Sequence, residues 1–254
     1  MTGASYIGLL RRNPAFRRLW LGQVCSQLGD WLDSIALYTL LLRLTGSGEL
    51  IGWLLVTQFL PSGLVALWAG VIVDRLPRRR VMIAADLGCA ISVLFFLLAR
   101  TRGQIWIIYA ATIVKFALIS FFEPAYSALI PSVVSERDLV LGNAISGVTW
   151  SVMLALGAAI GGGVAGTLGT DAAFLVDAAS FVVSAFFTWS VEVRERVAAS
   201  GERRHPLHEL REGFQFLIGH RDVLVYALSK ALWSLGGGVL ILLKLFGKRL
   251  FPVG

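Results

Sequence analysis

Charge is scarce in this chain, and histidine and cysteine are scarcer. Only 15% of its 254 residues are Asp, Glu, Lys or Arg, against about 25% in an average soluble domain. The three histidines, His205, His208 and His220, all fall in one polar stretch. The apolar segments therefore have none to serve as a general base or metal ligand, and no H-E-x-x-H occurs. His205 and His208 stand at i, i+3 spacing, but two ligands in an arginine-rich loop read as polar surface. The two cysteines, Cys25 and Cys89, lie inside apolar runs without metal or redox spacing and read as small buried side chains. No G-x-x-x-x-G-K-[ST] phosphate loop is present. Nothing calls for a metal or a cofactor.

What is present is apolar. Hydrophobic residues make up 56% of the chain, and whole windows of about 20 residues, the length that crosses a bilayer, are almost free of charge. A soluble core does not need such windows. The net charge of +7 does not point to nucleic acid, because most of the basic residues sit in short loops between apolar runs.

Seven such runs are expected to be membrane helices: Leu19 to Leu44, Leu50 to Val73, Val81 to Ala99, Ile105 to Ile130, Leu139 to Leu168, Ala172 to Val191, and Val223 to Leu243. The first is too long for a signal-peptide h-region and carries Asp30 and Asp33, so it reads as a span. With the N-terminus inside, fifteen arginines fall in cytoplasmic connections, against Arg43, Arg100 and Arg102 in the outer loops before the last span. That bias sets the N-terminus in the cytoplasm. The bilayer expected is a bacterial inner or plasma membrane.

Residues 1–18 form a cytoplasmic N-terminus and 19–191 a first bundle of six spans. Residues 192–222 are different in kind, with six acidic and six basic residues. Leu207, Leu210, Phe214, Leu217 and Ile218 recur there at helical spacing, so part of this linker is expected to be an amphipathic helix at the cytoplasmic membrane surface. Residues 223–254 hold a seventh span. Six spans, a long cytoplasmic loop and a new start is the layout of a two-bundle transporter. An odd seventh helix is a poor stopping point for that design, so the chain is expected to be an N-terminal fragment whose C-terminal bundle is missing.

Between the second and third runs lies Gly70-Val-Ile-Val-Asp74-Arg75-Leu-Pro77-Arg78-Arg79-Arg80. With Gly70, Asp74, Arg75, Arg78 and Arg79 in the matching positions, it resembles the signature loop of the major facilitator superfamily, roughly G-x-x-x-D-R-x-G-R-R. Pro77 stands where the general pattern has glycine. That departure resembles the enterobactin-exporter and macrolide-efflux-like branch, as do Asn13-Pro-Ala-Phe-Arg17-Arg-Leu-Trp20, Leu28-Gly-Asp30-Trp31, Phe122-Glu-Pro-Ala125 and Ala128-Leu-Ile-Pro131. The resemblance implies an all-α membrane protein: an N-terminal six-helix bundle of two inverted three-helix repeats, plus a seventh transmembrane helix. It also implies that the loop is a conformational latch. Asp74 would accept hydrogen bonds from a helix N-terminus of the second bundle, and Arg75, Arg78 and Arg79 would hold acidic groups or lipid phosphates. The plainer reading is that these arginines only set topology. In the fifth span, Gly157-Ala-Ala-Ile-Gly161-Gly162 partly matches the G-P-x-x-G-G element of drug/proton antiporters, with Ala158 in place of proline. Close helix packing explains these glycines without a gating role.

Charges buried in a bilayer cost roughly 2.5–3.5 kcal/mol each even on the mildest scale, so each is a functional candidate. Asp30 lies about 17 Å beyond Leu19 along a helix, near mid-membrane, with Asp33 one turn further on the same face. Lys115 reaches similar depth from the outside. These three are expected to meet between the first and fourth spans, either as substrate or proton-coupling residues or as a structural ion pair. Glu123 is the fourth candidate. Asp86 is expected to snorkel or contact a loop, and Asp177 to lie near the outer side.

The function expected is secondary active transport: a proton-driven exporter of small amphiphilic molecules (drug, macrolide or siderophore) working by alternating access. Its partners are the bilayer, a small-molecule substrate and the proton gradient. Two alternatives stay open. A membrane subunit of an ABC-type exporter would need its nucleotide domain on another chain. An intramembrane enzyme would have to rely on a glutamate–lysine pair.

Overall fold

A computed structural model describes residues 6–193, 206–229 and 232. The elements are helices, and no strand occurs among the described residues. A short helix α1 (Tyr6–Arg12) leads into α2 (Pro14–Thr45), α3 (Gly48–Arg75), α4 (Arg78–Phe95), α5 (Ile105–Val133), α6 (Leu139–Thr167) and α7 (Thr170–Trp189).

Local chemistry sets the ends. Asn13 caps α2, its Oδ1 accepting from the Phe16 amide at 2.9 Å, with Pro14 at the first helical position. Gly46 ends α2 in the left-handed region (φ 67°), and its amide donates to the Leu42 carbonyl at 2.8 Å. Pro77 separates α3 from α4, and Gly169 (φ 85°) turns the chain between α6 and α7. Each connection is short, so consecutive helices alternate in direction.

The helices pack in a row, in the order α6, α2, α7, α4, α5, α3. Exchanging α2, α3 and α4 for α5, α6 and α7 maps the row onto itself, the central α7–α4 pair onto itself and each other neighbour pair onto its counterpart. Because the exchanged helices run in opposite directions, this is the arrangement of two inverted three-helix repeats.

The interior has three layers. One apolar cluster, including Phe16, Leu19, Met82, Phe122 and Leu129, fills the end that carries the arginine-rich α3–α4 loop. A second, including Leu37, Leu41, Phe96, Ile108 and Phe174, fills the opposite end. Between them lies a buried polar layer containing Asp33, Asp86, Lys115, Asp177 and Ser184.

Among the described residues, five helical segments are long and apolar enough to cross a membrane: Gly48–Ala66, Arg78–Leu98, Arg102–Val133, Glu136–Gly161 and Thr170–Trp189. This differs from the seven expected spans, for two reasons. α2, with 32 residues, is about 48 Å long, but Gln23, Gln27, Asp30 and Asp33 make it too polar by composition. It keeps Gln23 and Asp33 buried in the bundle rather than on the outer surface. Most of the seventh run lies outside the described residues. Large apolar side chains such as Trp53, Phe59, Leu64 and Trp68 of α3 are exposed, as suits a chain solvated by lipid.

Residues 202–254 form a second unit. In it, α8 (Pro206–Gly219) is a helix within the expected polar linker, and 221–229 are helical.

Candidate functional site

Lys115 of α5 sits in the polar layer with a triad of carboxylates around its ammonium group. Nζ lies 2.6 Å from Asp33 Oδ2, 2.9 Å from Asp30 Oδ1 and 2.9 Å from Asp177 Oδ2. The Phe181 ring centroid is 5.3 Å from the same nitrogen, within cation–π range. Lys115, Asp33 and Asp177 are buried, while the Asp30 side chain keeps 31% of its surface.

The sequence builds this arrangement from helix spacing and small residues. Asp30 and Asp33 are three apart and share a face of α2. Gly29 on α2 leaves the space that Ser180 and the Asp177 carboxylate of α7 fill, and Gly22 lies against the Ser184 carbonyl. Ser180 Oγ donates to the Asp177 carbonyl at 2.8 Å and to its Oδ1 at 3.3 Å. Three carboxylates share one ammonium, so the cluster carries excess negative charge when all are ionised. Such a cluster is stable inside a bilayer only if its remaining lone pairs are met or its charge changes.

Asp30 also borders a cavity of about 30 Å³, enough for a water molecule. Gln27, Asp86 and Glu123 line it as well. Asp86 Oδ2 accepts from Ser184 Oγ at 2.8 Å. Cys89 beside it donates to the Lys115 carbonyl at 3.6 Å.

The structure thus brings together Asp30, Asp33 and Lys115, and places Glu123 with Asp30 on the cavity. Two expectations are corrected. Asp177 does not stand apart near one end. α7 starts at Thr170, earlier than expected, and close packing on α2 turns Asp177 onto Lys115. Asp86 does not snorkel. It is 2% exposed and faces Ser184 of α7. Asp177, Ser180 and Ser184 share one face of α7, opposite Gly22 and Gly29 of α2, a polar stripe visible in the sequence although its partners are not.

At the loop end, Asp74 is exposed and lies 4.0 Å from Arg78 Nη2, a pair that contributes little by itself. Arg78 Nη1 donates to the Ala128 carbonyl and Arg79 Nη1 to the Val191 carbonyl, each at 2.8 Å. Arg18 Nη1 donates to the Ser190 carbonyl at 2.6 Å, and Asn13 Nδ2 to the Val133 carbonyl at 2.6 Å. Asn13 meets the C-terminal end of α5, Arg18 and Arg79 meet the chain just beyond α7, and Arg78 meets a carbonyl one turn further inside α5. Arg78 and Arg79 each hold a backbone carbonyl. Arg75 is exposed, and a Cβ added at Gly70 would meet nothing.

The α6 glycines face α2. A Cβ on Gly157 would overlap the Trp31 side chain, and one on Gly161 would lie 3.2 Å from Leu32 Cα. Gly162 follows in the same helix. The seam is extended by Trp31 edge-on to Trp150, with centroids 6.4 Å apart, and by Trp20 Nε1 donating to Thr149 Oγ1 at 2.8 Å.

A charge cluster at mid-height, walled by helices long and apolar enough to cross a membrane, is the interior of a membrane-helix bundle. The chain belongs to the Major Facilitator Superfamily, whose sequence profile matches residues 19–251. It is similar to YfiS of Bacillus subtilis, an uncharacterized MFS-type transporter, with 25% identity over 213 residues covering 82% of this chain and 50% of that protein. Macrolide efflux protein A of Streptococcus pyogenes is 29% identical over 126 residues, which is 49% of this chain and 31% of the relative. Enterobactin exporter EntS of Shigella boydii is 26% identical over 239 residues, covering 93% and 57%. The chain spans about half the length of the curated relatives it matches first.

Proposed function

We propose that this chain is the first bundle of a proton-coupled secondary exporter of small amphiphilic molecules, working by alternating access. The observation that carries the reading is that Asp30 belongs both to the buried Lys115 cluster and to the carboxylate-lined cavity. A residue placed so can change partners when its protonation changes. The macrolide and enterobactin names of two relatives support a drug, macrolide or siderophore as cargo. The cavity of about 30 Å³ is far below the roughly 300–1,000 Å³ of a drug site. The cargo would therefore bind between this bundle and a second one, against the exposed side of Asp30.

In the same reading, residues 19–191 are the first bundle, 192–222 a cytoplasmic linker, and 223–254 the start of the second bundle. The membrane is the bacterial inner or plasma membrane, with the N-terminus in the cytoplasm. Asp74, exposed beside α4, is free to dock on a helix N-terminus of the second bundle as a latch. Gly157, Gly161 and Gly162 serve helix packing first, and gating only if α6 moves on α2.

The test is efflux from cells or vesicles expressing the full-length protein, driven by an imposed pH gradient. Asp30→Asn is expected to abolish the dependence on the gradient. Unchanged coupling would remove Asp30 from the mechanism.

A further inference from the structure

The geometry points to Asp33 as the residue that holds the coupled proton at rest, with Asp30 as the arm that exchanges it with the cavity. This rests on the proton-coupled reading above and assigns its atoms. The three carboxylates around Lys115 are not equivalent. Asp177 gives Oδ2 to Lys115, and its Oδ1 takes the weaker branch, at 3.3 Å, of the Ser180 hydroxyl's bond to the Asp177 carbonyl. Asp30 gives Oδ1 to Lys115 and is part-exposed on the cavity, where water can solvate it. Asp33 gives Oδ2 to Lys115 at 2.6 Å, while its Oδ1 is buried without a hydrogen-bond partner.

An anionic oxygen in that position is a buried charge with nothing opposite it. A carboxylic acid there leaves only a neutral group unmet, which is the smaller cost. The other ionisable groups around the cluster do not supply the missing contact. They are Asp30 and Tyr38 of α2, Asp86 and Cys89 of α4, Glu123 of α5 and Asp177 of α7. The Tyr38 hydroxyl donates to Gln58 Oε1 at 3.3 Å, Cys89 is on the Lys115 carbonyl, and Asp86 is on Ser184.

Exchange needs no new group. When the proton passes from Asp33 to Asp30, Asp33 becomes an anion paired with Lys115 and Asp30 becomes a neutral acid facing the cavity. The charge of the cluster is unchanged until Asp30 gives that proton to water. Asp86 and Glu123 line the same cavity.

The experiment is infrared difference spectroscopy of the whole chain in lipid bilayers, with carbon-13 in the aspartate carboxyls. At neutral pH the wild type is expected to show an isotope-shifted carboxylic-acid carbonyl band. In an Asp86→Asn background, which removes the other buried aspartate without a cation opposite it, the band should vanish on adding Asp33→Asn and persist on adding Asp177→Asn. In Asp30→Asn it should persist but stop responding to pH jumps. If Asp33→Asn does not fold, persistence in Asp30→Asn, Asp177→Asn and Asp86→Asn makes the assignment by elimination. A wild type without the band, or loss of the band in Asp30→Asn, Asp86→Asn or Asp177→Asn, overturns the assignment. Efflux indifferent to the pH gradient, with the band still on Asp33, overturns the coupled-exporter reading instead and reduces Asp33 to a static buried acid.

Discussion

Gly29 of α2 and Asp177 of α7 face each other so closely that a methyl group on the glycine would occupy the space of the carboxylate. The acid that completes the Lys115 cluster is thus placed by an absent side chain on another helix. Gly29→Ala gains up to about 1 kcal/mol of helix propensity, but overpacking a tight contact costs typically about 1–3 kcal/mol. The expected result is a lower melting temperature in detergent, and Asp177 displaced from Lys115.

Lys115 is 2% exposed and faces three acids. Removing one partner from a buried ion pair costs about 3–5 kcal/mol, because the other charge is left uncompensated. Lys115→Met should therefore fold poorly. Adding Asp177→Asn should recover part of the loss, since it removes a fully buried charge. Melting temperatures of the single and double variants decide it, and a double variant no more stable than Lys115→Met alone would refute this account.

Two nearby glycines of α6 should respond in opposite directions. A Cβ on Gly161 meets backbone, lying 3.2 Å from Leu32 Cα and 3.3 Å from the Trp31 carbonyl oxygen, whereas one on Gly163 meets nothing. Gly161→Ala should destabilise by roughly 1–3 kcal/mol, as overpacking does. Gly163→Ala should be neutral or stabilise by up to about 1 kcal/mol through propensity. Unfolding of the two variants side by side tests whether the α2–α6 seam needs the first glycine for contact.

Arg78 is part-buried and donates to the Ala128 carbonyl. Hydrogen bonds involving a charged partner contribute about 1.5–3 kcal/mol. Arg78→Met should lower stability within that range, and Arg80→Met, at an exposed position, should leave it nearly unchanged. Equal effects at both positions would mean that only the positive charge of the loop matters.

Much of this was legible in the sequence. The helices α2 to α7 follow the apolar runs, because membrane spans are marked by length and composition. Asn13-Pro14 and Gly46 mark the ends of α2. Asp30, Asp33 and Lys115 could be paired by depth alone, since depth along a helix follows from residue count. Asp177 could not. Its partners lie on helices far away in sequence, and the α2–α7 contact depends on Gly29 and Ser180 facing one another. Asp86 was misread because snorkelling assumes a side chain turned outward, and nothing local says which way α4 is rotated. The targets of Arg78 and Arg79 were hidden for a different reason. Helix-end carbonyls are invisible in a sequence until it is known which helix ends come together.

The row of helices has a further consequence. α2 and α5 lie apart in the row, with α7 and α4 between them, and they approach one another only sparsely. The bonds from Lys115 to Asp30 and Asp33 tie them directly. The five seams of the row are tightly packed, with polar contacts such as Ser184–Asp86 and Trp20–Thr149 among apolar ones, so they set its length. The charges act as a clasp that sets how tightly the row curls. The same four charges therefore bear both on how closely α5 is drawn towards α2 and on whether the bundle holds together.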